Sequence, residues 1–533
     1  MVEREWREAS DMRPSRVNLA LVLIAAAVLR FWGLRHGLPY SPAIDEPEIV
    51  DRALAMMRTG TLSPHPFYDY PTLYMYVQLA VFIVRFLIGA FTGAWSSLNT
   101  IDPVQFYVAG RAVTALIGTA TVLLVFQAGL RWGARHALLA AGLLAVLPLH
   151  VQASHHVLTD APMTFFVTLA LVLALSAHER GTAAAFAWSG AAAGLAAATK
   201  YNGAIALLMP LVACLMTPRA KDSRLKCAGA AVGACVAAFL AGAPYTVLDL
   251  PTFLNAFAQL STHYSAGAGP GEMPAATYVK HLLIHFGYPA ALLACAGLIM
   301  AIVRTVKGPG RARWAVLLVM PVVHFALISK QQLVYGRYLL PMVPMLCLLA
   351  ANAVVSGVSL LRRYEIPRGP RAALIAGLTA AALVHPAYAS IRFDRLIGRR
   401  GTTQMAYEWI RQHIPPDSSV VIETRELLLP PPYRSENIGQ LRSRTYEEYQ
   451  GRGVEYLVAS GQSFGLYLAN PQDHPIGYAQ YMRIFEQSRE LVRFVPSPDG
   501  RTVPGPELRI YKVSPAPPES SAPPQKSQPP RTR

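Results

Sequence analysis

The stretch VNLALVLIAAAVLRFWGL, residues 17–34, is followed nine residues later by the acidic segment IDEPEIV, residues 44–50. A predominantly apolar run of this length is enough for one helix to cross the hydrocarbon core of a bilayer. Similar runs, of roughly 17–24 residues, recur as far as Ala389. A globular protein would interrupt them with the polar residues of amphipathic helices. The pattern therefore predicts an all-α polytopic membrane protein.

Composition and charge support this class. The chain has 533 residues, of which 53% are hydrophobic and 15% are charged, whereas about 25% of the residues of an average soluble domain are charged. The formal net charge is +17, but the basic residues form no stripe with interleaved aromatics, as nucleic-acid binding would require. They cluster in short connections typical of cytoplasmic loops, at Arg219–Lys226, Arg304–Arg313 and Arg362–Arg371. The five cysteines show no metal-binding spacing.

The basic connections also constrain the number of membrane crossings. Hydropathy marks twelve apolar segments, and twelve crossings from a cytoplasmic N-terminus would leave all three basic connections outside, against the positive-inside tendency. Eleven crossings place the three basic connections inside, provided that one segment between residues 72 and 150 does not fully cross the membrane. Thirteen crossings would place them inside as well, if hydropathy misses a pair of spanning segments. The predicted organisation is a cytoplasmic arm at 1–16, a transmembrane domain at 17–390 with external loops 35–71 and 245–285, an external soluble α/β domain at 391–513, and a disordered tail at 514–533.

The soluble domain shows a mixed pattern. Met405–His413 has the periodicity of an amphipathic helix, and three short apolar runs, 420–422, 455–458 and 508–513, have the composition of strands. In the second external loop, 245–285, the segment Phe253–Leu260 has a helix-like pattern. We expect a small α/β fold at the C-terminal end of the chain.

The first external loop carries adjacent acids, Asp45 and Glu46, before a helical pattern that ends at Gly60. One of the two carboxylates could simply cap the helix, whose first turn holds Pro47. Capping does not account for both acids at the mouth of a membrane cavity, where an acid can serve as a general base. Both interpretations of Asp45 and Glu46 remain open at this point.

A second candidate group is His155, His156 and Asp160. Asp160 could cap the helix that follows it, and the histidines could bind a substrate oxygen or a metal ion. Because the spacing is not diagnostic of a metal site, a divalent cation is possible but no metal is predicted.

Lys200 and Arg337 lie within or at the start of apolar stretches, and Tyr338 and Lys330 lie near Arg337 in the sequence. A cation inside the membrane costs roughly 2.5–3.5 kcal/mol on insertion scales, so it is a functional candidate by default. A phosphate group at the membrane interface would account for these cations, with arginine suited to bidentate contact. Snorkelling or a structural ion pair is the alternative, above all for Lys330.

The order of these motifs resembles that of the GT-C membrane glycosyltransferases, in particular the protein O-mannosyltransferase and lipid A aminoarabinose transferase superfamily (glycosyltransferase family 39-like). In this chain Tyr201 and Asn202 separate Thr199-Lys200 from the following glycine, which departs from the Thr-Lys-Gly element of that family. The resemblance covers roughly residues 17–356, and its motifs are Asp45-Glu46, Tyr70-Pro71-Thr72-Leu73, His155–Pro162, Thr199-Lys200 and Arg337-Tyr338 followed by Pro341 and Pro344.

The resemblance implies an inverting transfer of a hexose or pentose from a polyprenyl-phosphate carrier to a lipid, glycan or protein acceptor. Asp45 would be the base and Glu46 its support, while Lys200 and Arg337, with Tyr338 and Lys330, would bind the donor phosphate. Asp160, His155 and His156 would line the acceptor side or a cation site. A loop around Gly267 would act as a lid. We expect a multi-pass protein of a bacterial inner membrane.

Two other classes remain open on the sequence alone. A transporter or flippase of a lipid-linked or anionic substrate would also have many helices, and Lys200–Gly203 could be the helix break that such proteins show near the bilayer midplane. A non-catalytic assembly factor would keep the fold without the chemistry.

Overall fold

The computed structural model describes residues 16–39, 45–98, 101–218, 223–266, 273–308, 310–364, 367–423, 427–497 and 502–514. The chain divides into two compact units, one formed by Met1–Arg35 with Asp45–Arg395 and the other by His36–Ile44 with Leu396–Arg533. The predicted lid around Gly267, the arm before Arg16 and the tail after Ser514 lie outside the described residues.

The regular elements in the described part of the first unit are all helices. Its helices are α1 (Arg16–Phe31), α2 (Glu46–Thr59), α3 (Leu73–Phe91), α4 (Pro103–Gly129), α5 (Ala134–Val146), α6 (Pro148–Ala153), α7 (Asp160–Arg180), α8 (Ala183–Thr199), α9 (Leu208–Met216), α10 (Arg224–Gly242), α11 (Tyr245–Leu248), α12 (Leu250–Ala266), α13 (Pro274–Lys307), α14 (Arg311–Ile328), α15 (Val343–Arg363) and α16 (Arg368–Ile397). Two 3₁₀ segments, Tyr201–Leu207 and Gly336–Met342, precede α9 and α15.

Eight helical segments in the described part of the chain are long and apolar enough to cross a membrane, and they contain α3, α4, α7, α10, α13, α14, α15 and α16. The prediction of a multi-pass membrane protein is confirmed. Between residues 72 and 150 the shortest apolar helix is α5, whose 13 residues extend about 20 Å against a hydrocarbon core of about 30 Å. The number of crossings and their direction stay predictions.

Small residues bring α8 and α10 into backbone contact. A Cβ atom added to Gly190 would lie 2.0 Å from the carbonyl oxygen of Ala231, and one added to Gly194 would lie 2.2 Å from that of Cys235. Without a hydrophobic driving force between helices in lipid, such close approach supplies the van der Waals contact that holds membrane helices together. The Ala- and Gly-rich composition of α8 is therefore explained by packing.

Arg30, on α1, is buried and supports the broken end of α5. Pro148 has no N–H group, so the last carbonyl groups of α5 cannot all be satisfied by the following helix. Arg30 donates hydrogen bonds to the carbonyl oxygens of Leu144 at 3.0 Å and Ala145 at 2.9 Å, and it lies 3.0 Å from Nδ1 of His150. The contact fixes the turn that leads to Asp160.

The second unit contains a small α/β fold, as predicted. It comprises α17 (Thr402–His413), β1 (Ser419–Ile422), β2 (Arg434–Asn437), α18 (Tyr446–Gly451), β3 (Tyr456–Ser460), α19 (Gly461–Ala469), α20 (Pro475–Gln487), β4 (Arg489–Phe494) and β5 (Leu508–Lys512). The sheet has the order β2-β1-β3-β5-β4; β2, β1 and β3 are parallel, and β5 is antiparallel to both its neighbours.

A buried carboxylate joins the carboxyl ends of the parallel strands in this sheet. Glu423, directly after β1, accepts hydrogen bonds from the N–H groups of Leu441 at 2.8 Å and Ser460 at 2.9 Å, and from the hydroxyl of Tyr481. Burial raises the pKa of Glu423 to about 7, even though these donors favour the ionised form.

Replacing Gly190 with alanine is expected to lower the free energy of unfolding by about 1–3 kcal/mol, because the added methyl group forces α8 away from α10. The matched control is Gly233→Ala on α10, where an added Cβ meets no atom within 4 Å. Thermal unfolding of the purified protein in detergent measures the difference. Equal melting temperatures for the two variants would contradict the close-packing interpretation.

Candidate functional site

Asp45 and Arg337 form an ion pair at the start of two helical segments. Asp45 immediately precedes α2, and Arg337 is the second residue of the 3₁₀ segment before α15. The Nη2 atom of Arg337 lies 2.6 Å from Oδ2 of Asp45, and the two side chains are 28% and 25% exposed. Solvent or a ligand can therefore reach both groups.

Asp160 and Lys200 form a second pair, which is more deeply buried. Their Oδ1 and Nζ atoms are 2.7 Å apart. Asp160 is the first residue of α7, and Lys200 follows α8 in an extended conformation that separates α8 from the 3₁₀ segment. Gly203 allows this break, since a Cβ atom there would lie 2.4 Å from the carbonyl oxygen of Ala196.

The two ion pairs meet around aromatic rings. The Nζ atom of Lys200 lies 4.9 Å from the ring centroid of Tyr338 and 5.9 Å from that of Tyr70. The guanidinium carbon of Arg337 lies 6.0 Å from the same Tyr338 ring, and the charges of both acids act on Arg337. In the sequence analysis Tyr70 appears only as part of a family-like motif, and the structure brings it into the charged cluster.

Two further residues hold Tyr338 in place. Nε2 of the buried His324 lies 2.7 Å from the carbonyl oxygen of Tyr338, and the Tyr338 hydroxyl donates to that of Tyr264 at 3.3 Å. Sequence analysis missed both residues. His324, a polar residue inside the apolar run of α14, could have been noticed, whereas no sequence signal marks Tyr264.

Glu46 points into a different, fully buried arrangement. Its carboxylate accepts hydrogen bonds from Arg111 Nε at 2.8 Å, from Arg111 Nη2 at 2.5 Å and from the N–H group of Val157 at 2.8 Å. Nδ1 of His156 lies 3.9 Å from the same carboxylate. Burial alone would raise the pKa of Glu46, but the hydrogen bonds and charge of Arg111 lower it to about 2. Glu46 thus ties the start of α2 to α4 and to the segment before α7.

The remaining predicted site residues lie outside this cluster or at its edge. The ring nitrogens of the buried His155 lie 2.8 Å and 3.0 Å from the carbonyl oxygens of Val151 and Trp32, and Asp394 is 3.6 Å away. Lys330 follows α14, is exposed, and has no ion pair with any described residue. In the described ranges no three His, Cys, Asp or Glu side chains are grouped to hold a metal ion.

The charged cluster combines the groups needed to transfer a group from a phosphate ester. Arg337 and Lys200 are two cations that can hold a phosphate and stabilise charge that develops on it. Asp45 is a partly exposed carboxylate beside them, in a position to accept a proton. Asp160 holds Lys200 from the opposite, buried side.

A family model matches one part of the chain. Residues 106–247 match the family model described as dolichyl-phosphate-mannose-protein mannosyltransferase. The match includes Arg111, Asp160 and Lys200 but neither Asp45 nor Arg337. No curated protein sequence matches the chain significantly.

Solved structures extend the similarity to almost the whole chain. The archaeal oligosaccharyltransferase AglB from Archaeoglobus fulgidus, in complex with an inhibitory peptide and a dolichol-phosphate, aligns with a TM-score of 0.55 and 15% identity over 96% of this chain and 75% of that chain. ArnT from Cupriavidus metallidurans, bound to undecaprenyl phosphate, aligns with a TM-score of 0.54 and 15% identity over 93% of this chain and 97% of that chain. The chain therefore has the GT-C glycosyltransferase fold, and the resemblance predicted from its sequence motifs is confirmed at the level of the fold.

Proposed function

We propose that this protein is an inverting glycosyltransferase that moves a sugar from a polyprenyl-phosphate carrier to an acceptor hydroxyl or amine at the external face of a membrane. The observation that carries the proposal is the contact of Asp45 with Arg337, beside Lys200 and its partner Asp160. The phosphate-bearing ligands of AglB and ArnT, dolichol-phosphate and undecaprenyl phosphate, support a lipid-linked donor.

The proposed reaction is a single displacement. The acceptor oxygen or nitrogen attacks the anomeric carbon while Asp45 takes the proton of the attacking group. The bond between the anomeric carbon and the phosphate oxygen breaks, and the polyprenyl phosphate leaves with one more negative charge. Fixed cations stabilise a transition state most where charge develops, which is the role we assign to Arg337 and Lys200.

In this proposal, binding of the donor has to break the ion pair between Asp45 and Arg337. While this ion pair is intact, the guanidinium of Arg337 occupies Oδ2 of Asp45, an oxygen that would accept the proton. A donor phosphate that binds Arg337 competes with Asp45 for the same N–H donors and releases the carboxylate to accept a proton. Binding of the donor would in this way activate the base.

Glu46 and Asp160 act as positioning residues in this proposal. Glu46, bound to Arg111 and Val157, fixes the start of α2 and hence the backbone of Asp45. Asp160 keeps Lys200 extended toward Tyr338. His155 and His156 belong to the same supporting segment, on the side where we place the acceptor. Hexosyl or pentosyl transfer, a lipid, glycan or protein acceptor, and a bacterial inner membrane with an external C-terminal domain complete the proposal.

Replacing Asp45 with asparagine is expected to lower turnover by about 100-fold or more, since the general base is lost. The control is Glu48→Gln on α2, which removes the ion pair with Arg52. The assay supplies the purified protein with a panel of polyprenyl-phosphate sugars and membranes of a deletion strain, and follows glycosylated acceptor and free polyprenyl phosphate. Unchanged turnover would remove Asp45 from the mechanism. Solute uptake without covalent change would favour a transporter.

Replacing Arg337 with alanine is expected to raise the KM for the donor and lower kcat, each by about tenfold or more, because a charge-assisted contact to the phosphate is lost. Lys330→Ala is the matched control; Lys330 is exposed and should change either constant less than threefold. Steady-state kinetics with the donor found in the panel give both values. If Lys330→Ala were as impaired as Arg337→Ala, the phosphate would have to lie nearer the end of α14.

Replacing Glu46 with glutamine is expected to destabilise the protein by about 3–5 kcal/mol at pH 7, because Arg111 is left buried without its carboxylate. The folded-state pKa of Glu46 is about 2, below its value of about 4.3 in an unfolded chain. Its stabilisation is therefore complete above about pH 4.3 and is lost as the pH falls toward 2. Melting temperatures of wild type, Glu46→Gln and Glu48→Gln between pH 7 and pH 3 measure this. A Glu46→Gln deficit that is absent at pH 7, or that grows with acidity, would contradict it.

A further inference from the structure

Arg304 lies at the end of the helix bundle remote from Arg337. It is in the last turn of α13, whereas His281, near the start of the same helix, lies beside Gly336; a Cβ atom on Gly336 would be 3.1 Å from the His281 ring. α13 is kinked at Gly287, whose backbone is not helical, and the 17 residues from Tyr288 to Arg304 that follow the kink extend about 25 Å. Arg304 is thus separated from the candidate site by most of the thickness of a bilayer core, which is about 30 Å.

The guanidinium of Arg304 is half-buried among neutral groups. It donates to Oδ1 of Asn352 at 2.7 Å and to Oγ of Ser356 at 2.9 Å, and it lies 5.2 Å from the ring centroid of Trp314. No carboxylate among the described residues forms an ion pair with it. Only two of the five N–H donors of the guanidinium have partners in the described chain, and a half-buried cation without an anion is costly.

Neighbouring side chains add donors that also lack an acceptor. The Nδ2 atom of Asn352 is buried and has no hydrogen-bond partner among the described residues. His136, buried on α5 against Trp132, lies near Arg304 and the Leu348 carbonyl, and neither of its ring nitrogens makes a hydrogen bond of good geometry in the described chain. Buried polar groups are rarely left in this state. Unused donors around one cation indicate a place for an anion.

The surrounding surface is positively charged as well. Glu179, at the end of α7, is shared by Arg131 and Arg313, each 3.4 Å from the same carboxylate oxygen. Arg135, next to His136 in the sequence, is exposed. Basic pockets between transmembrane helices on the cytoplasmic side are where anionic headgroups bind.

A narrow apolar groove begins next to this cluster, and the space inside it is about 20 Å³. On α5, Leu139 and Leu143 follow His136 at intervals of three and seven residues, so they lie on the same helix face. The groove is completed by Leu293 on α13, Ala351 on α15 and Leu383 on α16. A hydrocarbon chain lying along the mouth of the groove would leave its headgroup at the level of His136 and Arg304.

We propose that this cluster binds an anionic phospholipid, with the headgroup phosphate on the half-buried Arg304, beside Asn352 and His136, and one acyl chain along the mouth of the groove. Phosphate accepts several charge-assisted hydrogen bonds at once, which satisfies the unused donors and the charge of Arg304. The adjacent groove favours a lipid over a soluble anion. This site is independent of the proposed transfer reaction, because it lies at the other end of the bundle.

The test titrates delipidated full-length protein in detergent with phosphatidylglycerol, with phosphatidylcholine of the same acyl chains, and with inorganic phosphate, and follows thermal unfolding. A ligand that binds only the folded state raises the Tm, and the rise grows with the logarithm of the ligand concentration relative to Kd. Phosphatidylglycerol is expected to raise the Tm and the other two ligands are not. In Arg304→Gln its apparent affinity is expected to fall about tenfold or more, as for loss of a charged hydrogen-bond partner, while the exposed control Arg311→Gln stays near wild type.

Leu293→Trp provides a second variant that keeps Arg304 but narrows the groove, and it decides the question should Arg304→Gln fail to fold. It is expected to weaken phosphatidylglycerol binding as well. Equal stabilisation by phosphatidylcholine, or wild-type affinity in either variant, would overturn the proposal. Equal stabilisation by inorganic phosphate would assign the cluster to a soluble anion and would overturn the proposal that its ligand is a phospholipid.

Discussion

Two cations lie among apolar helices, Lys200 and Arg337, and each has a carboxylate within hydrogen-bonding distance. The need to pair each cation with an acid determines where these helical segments begin and end. Removing one partner of a buried pair leaves an uncompensated charge, which costs about 3–5 kcal/mol. The four charged residues therefore stand at the start of α2, the start of α7, the break after α8 and the start of the 3₁₀ segment before α15. At the ends of helices, backbone N–H and C=O groups already lack intrahelical hydrogen bonds. The irregular backbone and the buried charges therefore occur at the same positions.

The two pairs differ in exposure, and this difference separates their roles. Lys200 and Asp160 are almost fully enclosed, whereas Arg337 and Asp45 are about one quarter exposed. An enclosed pair keeps its partner and can act on a ligand only through its fixed charge, while an exposed pair can exchange its partner for a ligand of the same charge. Under the proposed function the carboxylate of Asp45 occupies Arg337 until a phosphate replaces it. The carboxylate of Asp45 and the donor phosphate then compete for the guanidinium of Arg337, and this competition couples donor binding to release of the base.

The sequence predicted the features that depend on composition or on local spacing. Long apolar runs gave the helical membrane domain, and Lys200 and Arg337 were conspicuous because charge is rare in such runs. In the C-terminal unit β1, β3 and β5 were predicted from their apolar residues, while the polar edge strand β2, RSEN, was not. Contacts between residues distant in the sequence could not be predicted. Nothing local distinguishes Asp45 from Glu46, and the buried position of Glu46 depends on Arg111, 65 residues away.

The two ends of the helix bundle balance charge differently, and this bears on where the reaction takes place. At the candidate site each cation has its own carboxylate. At the other end Arg131 and Arg313 share one acid, and Arg304 has only neutral partners among the described residues. Because an excess of cations marks cytoplasmic loops, we infer that the Arg304 end faces the cytoplasm and Asp45 the opposite side. A donor used there has to be carried across the membrane, and a sugar attached to a lipid phosphate meets that condition.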